Sequence, residues 1–319
     1  MLVLSQAEVR RLLDLDRLVD ALADVHVALS AGDVSMPPRV AALVPEREAL
    51  LGVMPAYVPS AGLACKLVTL FPQNRDRETH QAAILVFDHE NGAPLALMDG
   101  TYVTATRTAA GSALATRLLA REDARVLAVI GSGVQARTHA RAIPRVRPIE
   151  EIRVAGRDIA KAEAVAAELG PAARAVASYE AALRGADVVA ATTHATEPVV
   201  RREWLEPGTH VNSVGLNPAG RELDDATVAA ATIVVESRES ALAAPPAGAP
   251  ELAGIDPARI HAELGELVRG VKPGRTSQDE LTLYKSVGVA VQDAAAAALV
   301  LSAARERGIG REVDLEGAE

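Results

Sequence analysis

The chain has 319 residues, enough for two domains and a sizeable core. Its 33 basic and 42 acidic side chains give a formal net charge of -9, which argues against nucleic acid or an anionic membrane as the partner. The single cysteine, Cys65, excludes an internal disulfide and fits a reducing compartment. No apolar run reaches the roughly 18 residues of a membrane span, so we expect a cytoplasmic protein with no membrane partner.

The N-terminal part of the chain predicts one helix followed by a sheet. Apolar residues recur at helical spacing over residues 5–31. Two consecutive prolines then hold the chain extended up to Arg39. Short β-rich segments follow, with a hairpin signal, Glu-Asn-Gly, at residues 90–92. The predicted strands are 51–54, 63–71, 82–88 and 95–98, and we expect them to form an antiparallel or mixed sheet of their own.

A buried strand, a glycine turn and a helix follow one another in the middle of the chain. The strand is Val126–Ile130, the turn contains Gly131 and Gly133, and Ala136 lies where a dinucleotide fingerprint allows Gly or Ala. The two glycines let the backbone approach a pyrophosphate, whose charge the N-terminus of the helix binds. The segment predicts a dinucleotide site, although a glycine turn of an ordinary α/β protein could have the same pattern.

Strands and helices alternate around this turn. A helix over 104–120, with threonines able to cap its start, precedes the turn. After it the pattern predicts strands at 152–155, 176–177, 187–193, 210–215 and 232–236, and helices at Ile159–Leu169, 179–184, 260–269 and 286–308. Residues 241–257 are predicted to be a surface loop. The alternation is typical of a doubly wound parallel sheet, and we expect the last helix to return to the N-terminal domain.

The end of the second strand of this sheet bears on the choice of cofactor. An acidic residue at that point binds the 2′-hydroxyl of the adenosine ribose, whereas an arginine accommodates a 2′-phosphate. Here Arg157 comes first and Asp158 follows it directly. We predict NADP(H), and Asp158 leaves NAD(H) open.

Three cations outside the dinucleotide segment raise the question of a binding site. Lys66 lies in an apolar strand, where a lysine must either extend to water or meet an anion, and alternation alone favours an outward side chain. Arg39 follows the prolines, and Arg107, among small residues, fits a surface arginine equally well. Three cations near one cleft would suit a small carboxylate. The seven histidines and one cysteine show no metal-ligand spacing, and we expect His139 on a helix surface.

Eight segments resemble the ornithine cyclodeaminase and mu-crystallin family, in the order of the family. They are ACKLVTL (64–70), HQAAILVFD (80–88), MDGTYVTATRTAA (98–110), GSGVQA (131–136), HVNSVG (210–215), RELDD (221–225), AELG (262–265) and KSVGVAVQD (285–293). The resemblance implies a homodimer that acts on a small amino or imino acid. It implies that residues 1–115, with 295–319, bind substrate and dimerise as an α+β domain, into which a Rossmann domain of residues 116–294 is inserted.

The resemblance also assigns the site residues. It places Arg39, Lys66 and Arg107 on the substrate carboxylate, and it implies that Lys66 is also the catalytic residue that supplies or relays the proton an imine needs. Residues 51–54 line the pocket by the same analogy. The residues assigned to the cofactor are Gly131, Gly133, Val134, Gln135, Ala136, Arg157, Thr192 and Gly215.

One departure from the family's pattern separates its members. The cyclodeaminases carry an aspartate for the substrate's side-chain amine where this chain has Leu216 and Asn217. Asp224 and Asp225 are the nearest carboxylates, and they are expected to cap a helix. We therefore predict a ketimine reductase of Δ1-pyrroline-2-carboxylate or Δ1-piperideine-2-carboxylate. Ornithine cyclodeamination, alanine-type dehydrogenation and a non-catalytic ligand carrier remain the alternatives.

Overall fold

The computed structural model describes residues 1–215, 217, 220–244, 247–315 and 317. The strands in this part of the chain are β1 (Leu2–Leu4), β2 (Val40–Val44), β3 (Ala49–Val58), β4 (Gly62–Leu70), β5 (His80–Phe87), β6 (Pro94–Asp99), β7 (Val126–Ile130), β8 (Glu151–Ala155), β9 (Ala173–Ala175), β10 (Val188–Ala191), β11 (His210–Ser213), β12 (Thr232–Val235), β13 (Ile260–Glu263), β14 (Thr282–Lys285) and β15 (Arg311–Glu312). The α-helices are α1 (Gln6–Leu12), α2 (Leu15–Ala31), α3 (Gly100–Leu119), α4 (Val134–Ala142), α5 (Ile159–Leu169), α6 (Tyr179–Leu183), α7 (Asp225–Ala230), α8 (Arg238–Ala241), α9 (Leu264–Val268) and α10 (Ala290–Arg307).

The chain divides into two compact units. One, which we call the flanking unit, consists of Met1–Arg107 and Val289–Glu319, and the other, the inserted unit, is Thr108–Gly288. Among the described helices, none is both long and apolar enough to span a membrane.

The flanking unit is built on a seven-stranded mixed sheet with the order β15-β1-β6-β5-β4-β3-β2. Strand β1 runs parallel to β6, and the other neighbours are antiparallel. Helix α10 packs against β3, β4 and β5, and α2 packs against α10. The structure thus agrees with the antiparallel or mixed sheet expected from the strand pattern.

The two faces of this sheet differ in their cover. Met54, Lys66, Ile84 and Met98 pair across four strands, and all four are buried on the face that α10 covers. The opposite face, which we call the outer face, carries half-buried apolar side chains, among them Pro55, Cys65, Leu85 and Leu97 in one cross-strand row. Both faces are apolar, so alternation in the sequence could not tell which one is buried.

The prediction of a single N-terminal helix over residues 5–31 is wrong. The structure has two helices, α1 and α2, because Leu13 is extended (φ -82°, ψ 104°) and the Asp14 side chain caps α2 by accepting from Arg17 N. The apolar positions Val9 and Leu18 are buried on either side of the break. Helical periodicity therefore continues across a cap that the spacing alone did not reveal.

The inserted unit contains an eight-stranded sheet with the order β13-β12-β14-β11-β10-β7-β8-β9, in which every pair is parallel. The strand order reverses between β7 and β10, which is the topological switch point of a doubly wound sheet. Ligands of such sheets bind outside the carboxyl ends of the strands at this point. The structure confirms the doubly wound parallel sheet that the sequence predicts.

Several element boundaries in and around this unit differ from the prediction. The strand predicted at 176–177 lies at Ala173–Ala175, and the helix predicted over 260–269 is strand β13 followed by α9. Strand β14 lies between β11 and β12 and was not predicted. Helix α3 begins at Gly100 rather than 104, where Asp99 Oδ2 accepts from Tyr102 N in place of a threonine cap.

The start of the last helix is also later than the prediction of 286. Helix α10 begins at Ala290, because the segment before it is bound by the buried carboxylate of Glu236. That carboxylate accepts from Ser286 Oγ (2.6 Å), Val287 N (2.9 Å) and Gly288 N (3.0 Å). Three hydrogen bonds to one distant side chain keep these residues out of the helix.

Candidate active site

The flanking unit contains a buried cluster of two cations and one carboxylate. Lys66 Nζ lies 2.8 Å from Asp293 Oδ2, and Arg107 Nε donates to Asp293 Oδ1 at 3.1 Å. The three side chains are no more than 6% exposed. The structure therefore corrects two expectations: Lys66 is not outward-facing, and Arg107 is not a surface arginine.

A second pair of buried side chains supports the arginine. Arg107 Nη1 donates to Gln292 Oε1 (3.1 Å), and Gln292 Nε2 donates to His26 Nε2 (3.0 Å). Burial and the positive charge of Arg107 lower the pKa of His26 to about 3, so the ring is neutral and accepts this bond. Sequence analysis missed Asp293, Gln292 and His26. The available signal was the polar pair Gln292-Asp293 in an alanine-rich helix.

The environment of Lys66 sets its protonation. Burial lowers its pKa to about 8, the charge of Asp293 acts in the opposite direction, and the charges of Arg107 and Arg39 lower it further. Arg39 is half-buried in the segment before β2. The three cations named by the sequence thus lie near one another in the flanking unit. Residues 51–54 belong to β3, where Met54 pairs with Lys66.

The glycine turn of the inserted unit combines a close backbone approach at one glycine with open space at the other. Gly131 has φ +122°, and a Cβ there would lie 2.9 Å from the carbonyl oxygen of Thr192. Gly133 precedes α4 without a side-chain cap, is exposed, and has open space where a Cβ would be. The turn lies at the carboxyl ends of β7 and β10, so its residues fit a pyrophosphate at the switch point.

The first turn of α4 divides its side chains between solvent and core. Val134 is exposed, Gln135 is half-buried, and Ala136 is buried. His139 is also buried, which corrects its expected surface position: its Nδ1 donates to Gln135 O (2.8 Å), and its Nε2 accepts from Ser112 Oγ (2.9 Å). Burial lowers the pKa of His139 to about 4, so this is a neutral bond between helices α3 and α4.

The two residues that bear on cofactor choice have different surroundings. Asp158 caps α5, and its Oδ1 accepts from Ala160 N and Lys161 N. Arg157 is exposed and makes no ion pair with the residues that the structure describes. Asp158 is therefore engaged by its own helix, while the guanidinium is available to a ligand.

A buried carboxylate joins the ends of two central strands. Glu222 Oε1 accepts from Thr193 N (2.6 Å) and Thr193 Oγ1 (2.9 Å), while its Oε2 accepts from Ser213 Oγ and Gly215 N, both at 2.8 Å. A Cβ on Gly215 would lie 2.4 Å from the Glu222 carboxyl carbon. Glycine is therefore required at 215, beside the carboxylate that fixes the loops after β10 and β11.

Lys285 completes this network from the neighbouring strand. Its Nζ donates to Gly215 O (2.8 Å) and Ser213 Oγ (3.0 Å) and lies 3.1 Å from Glu251 Oε2. Glu251 Oε1 in turn accepts from Glu222 N (2.8 Å). These charged groups come from separate parts of the sequence, and sequence analysis gave none of them a role.

The loop after Gly215 is described in part. Leu216 lies outside the described residues, while Asn217 is buried and its Nδ2 donates to Ala195 O (3.0 Å). The predicted cap is confirmed at Asp224, whose side chain accepts from Thr227 N. Among the described residues, no group of three His, Cys, Asp or Glu side chains could hold a metal ion.

The doubly wound parallel sheet, with its glycine turn at the switch point, defines the inserted unit as a dinucleotide-binding domain of the Rossmann class. A family model for the ornithine cyclodeaminase/mu-crystallin family matches residues 1–308, and the chain belongs to this family. Both the family and the α/β fold predicted from the sequence are thereby confirmed.

Known proteins resemble the chain over most of its length. It is 42% identical over 273 residues to the ketimine reductase mu-crystallin of Mus musculus, covering 84% of this chain and 85% of that protein. The Δ1-pyrroline-2-carboxylate reductase of Thermococcus litoralis, solved with NADH and L-proline, has a TM-score of 0.93 and 38% identity, covering 98% of this chain and 100% of that one. An archaeal alanine dehydrogenase dimer with bound NAD has a TM-score of 0.92 and 32% identity over 99% of both chains.

Proposed function

We propose that the protein is an NAD(P)H-dependent imine reductase that converts a small cyclic 2-imino carboxylate, Δ1-pyrroline-2-carboxylate or Δ1-piperideine-2-carboxylate, to the cyclic amino acid. Its resemblance to a ketimine reductase and to a Δ1-pyrroline-2-carboxylate reductase supports this reaction.

The observation that carries the proposal is the charge of the cluster in the flanking unit. Two buried cations, Lys66 and Arg107, share the one carboxylate of Asp293. Buried charge without a counterion is unfavourable, so the cluster favours a further anion. A substrate carboxylate supplies that charge, and Arg39 adds attraction from nearby. This arrangement supports assigning the three cations to the substrate carboxylate.

The reaction needs a hydride at the imine carbon and a proton at the imine nitrogen. The reduced nicotinamide, when bound, supplies the hydride with its two electrons. The Lys66 ammonium donates the proton to the nitrogen, so that the C=N double bond becomes a C–H and an N–H bond. With a pKa of about 8, Lys66 is largely protonated at neutral pH and is a stronger acid than an ordinary lysine.

The cofactor is NADP(H) in this proposal, with NAD(H) as the alternative. The exposed Arg157 can bind a 2′-phosphate, whereas the Asp158 carboxylate is occupied by the N-terminus of α5. Gly131, Gly133 and the N-terminus of α4 take the pyrophosphate. Thr192 and Gly215, at the ends of β10 and β11, are assigned to the nicotinamide side of the cofactor.

The residues after Gly215 favour reduction over cyclodeamination. Asn217 carries no negative charge for a substrate ammonium, and its side chain is already bonded to Ala195 O. A preformed cyclic imine has no free side-chain amine and needs no such carboxylate. Resemblance to the alanine dehydrogenase keeps an amino-acid dehydrogenase as the second candidate.

The outer face supports a homodimer. Strand β2 at the edge of the sheet is apolar and exposed, with Val40 63% and Leu43 67% accessible, and it continues into the apolar outer face. Contiguous apolar surface of this kind is typical of an interface between subunits. The occupant we propose is the same face of a second copy.

The experiment is a substrate panel combined with one substitution. Wild-type protein is assayed with both cyclic imines in the presence of NADH or NADPH, and with ornithine and alanine in the presence of NAD+ or NADP+. Arg107→Ala removes a charge-assisted contact to carboxylate worth ~3 kcal/mol, so the apparent KM for the imine rises about 100-fold. Arg11→Ala, an exposed arginine of α1, is the matched control.

Each outcome of the panel separates the proposals. Unchanged kinetics in Arg107→Ala, in a protein with a normal melting temperature, contradict the carboxylate assignment. Proline formed from ornithine without added reductant identifies a cyclodeaminase. Cofactor binding without turnover of any substrate identifies a carrier.

A further inference from the structure

Lys66 and Arg107 are held in place by one carboxylate that the proposed reaction does not itself require. We propose that Asp293 is the positioning residue of this site: its two oxygens fix the ammonium and the guanidinium relative to each other, and its charge keeps Lys66 protonated. The inference rests on the proposed function for its catalytic consequence, but the state of Lys66 can be measured without any substrate.

The geometry assigns a separate task to each oxygen. Asp293 lies in the first turn of α10. Its Oδ2 contacts Lys66, a residue of β4, and its Oδ1 contacts Arg107, a residue of α3. Two positive charges repel each other strongly in a buried site of low dielectric constant. A shared carboxylate offsets this repulsion and sets the spacing at which both groups meet a planar substrate carboxylate.

The arginine is held from a second side as well. Neutral His26 accepts from Gln292 Nε2, and this turns the amide oxygen of Gln292 toward Arg107 Nη1. Arg107 therefore uses Nε and Nη1 for the protein. Its Nη2 amino group has no hydrogen-bond partner among the described residues, which leaves it for a ligand.

The charges around Lys66 decide the effect of removing Asp293. Asp293 of α10 favours the ammonium, Arg107 of α3 and Arg39 disfavour it, and His26 of α2 is neutral. Without the carboxylate, the two arginines and burial act unopposed. The pKa of Lys66 then falls below its value of about 8, and the lysine loses its proton near neutral pH.

The loss has a defined chemical consequence. In each turnover Lys66 gives one proton to the imine nitrogen and regains one from solvent after the amine forms. A lysine that is already neutral cannot make this transfer, so activity falls at high pH. Removing Asp293 lowers the pH at which that fall begins.

The test is a titration of Lys66 in wild-type protein and in Asp293→Asn. The chain has four lysines, at positions 66, 161, 272 and 285, so 13C-lysine labelling gives few side-chain resonances, each assignable by Lys→Arg substitution. We expect the Lys66 titration to move down by at least about one pH unit, the usual effect of one adjacent charge. The exposed Lys161 and Lys272 serve as internal references.

The controls keep the inference separate from the proposed function. Glu306→Gln likewise replaces a carboxylate by an amide, at an exposed position of α10, and the Lys66 titration is expected to stay at its wild-type pH.

If Asp293→Asn does not fold, Asp293→Glu keeps the charge but moves the oxygens. The Lys66 titration then stays near that of wild type, and KM for the imine rises. A Lys66 titration that moves less than about 0.3 units in Asp293→Asn, or an unchanged KM in Asp293→Glu, overturns the proposal. If no imine is reduced by wild-type protein, the proposed function fails, but the titration still decides the role of Asp293.

Discussion

The carboxylate of Glu222 should be essential to both the stability of the inserted unit and its affinity for cofactor. We consider Glu222→Gln, which keeps the shape of the side chain and removes its charge. The carboxylate accepts four hydrogen bonds, two at each oxygen. The single amide oxygen of glutamine can serve only one pair of these donors, and its amino group then faces the other pair.

The expected magnitude follows from these contacts. Two charge-assisted hydrogen bonds are lost at ~1.5–3 kcal/mol each, and buried donors are left without acceptors, so the free energy of unfolding falls by ~3–6 kcal/mol. At ~2–4 °C per kcal/mol, the melting temperature falls by about 10 °C. The loops that contain Thr193 and Gly215 lose their shared anchor, so NAD(P)H binding weakens by about tenfold or more.

Thermal unfolding and the fluorescence of bound NAD(P)H measure the two effects. Glu163→Gln, an exposed position of α5 in the same unit, is the matched control. A melting temperature within about 2 °C of wild type, together with a Kd within about twofold, would show that the carboxylate does not set these loops.

Two further predictions concern the cofactor and the outer face. Arg157→Ala should lower kcat/KM with NADPH by about 10- to 100-fold, because a charge-assisted contact to the 2′-phosphate is lost. The same substitution should leave kcat/KM with NADH within about twofold of wild type, and equal losses with both cofactors would contradict this role. Leu43 is an exposed apolar residue of β2, and Leu43→Asp should convert the dimer to a folded monomer, as measured by light scattering. A dimer that persists in this variant would exclude β2 from the interface.

The sequence predicted features whose signal is local. Strand β7 and the glycine turn were located from a short apolar run and two glycines, which act over a few residues, and helix α5 has the bounds predicted for it. Arg39, Lys66 and Arg107 could be named for the same reason, because each lies in a segment with its own motif. These elements position the cofactor turn and the cation cluster.

Features that depend on distant contacts could not be predicted in this way. Lys66 is buried because α10, more than 200 residues further along the chain, covers its face of the sheet. Asp293 and His26 acquire their contacts through the same packing. The bonds of Glu222 and Lys285 likewise join separate strands and loops, and no spacing in the sequence indicates that they meet.

The ion pair between Arg107 and Asp293 has a consequence for how such a protein can be assembled. The chain leaves the flanking unit immediately after Arg107 and re-enters it at Val289, shortly before Asp293. The ion pair thus holds together the two places where the chain leaves and re-enters the flanking unit. Because the first boundary falls within helix α3 and not in a linker, a chimera that exchanges the nucleotide-binding domain has to continue this helix in register and keep the ion pair.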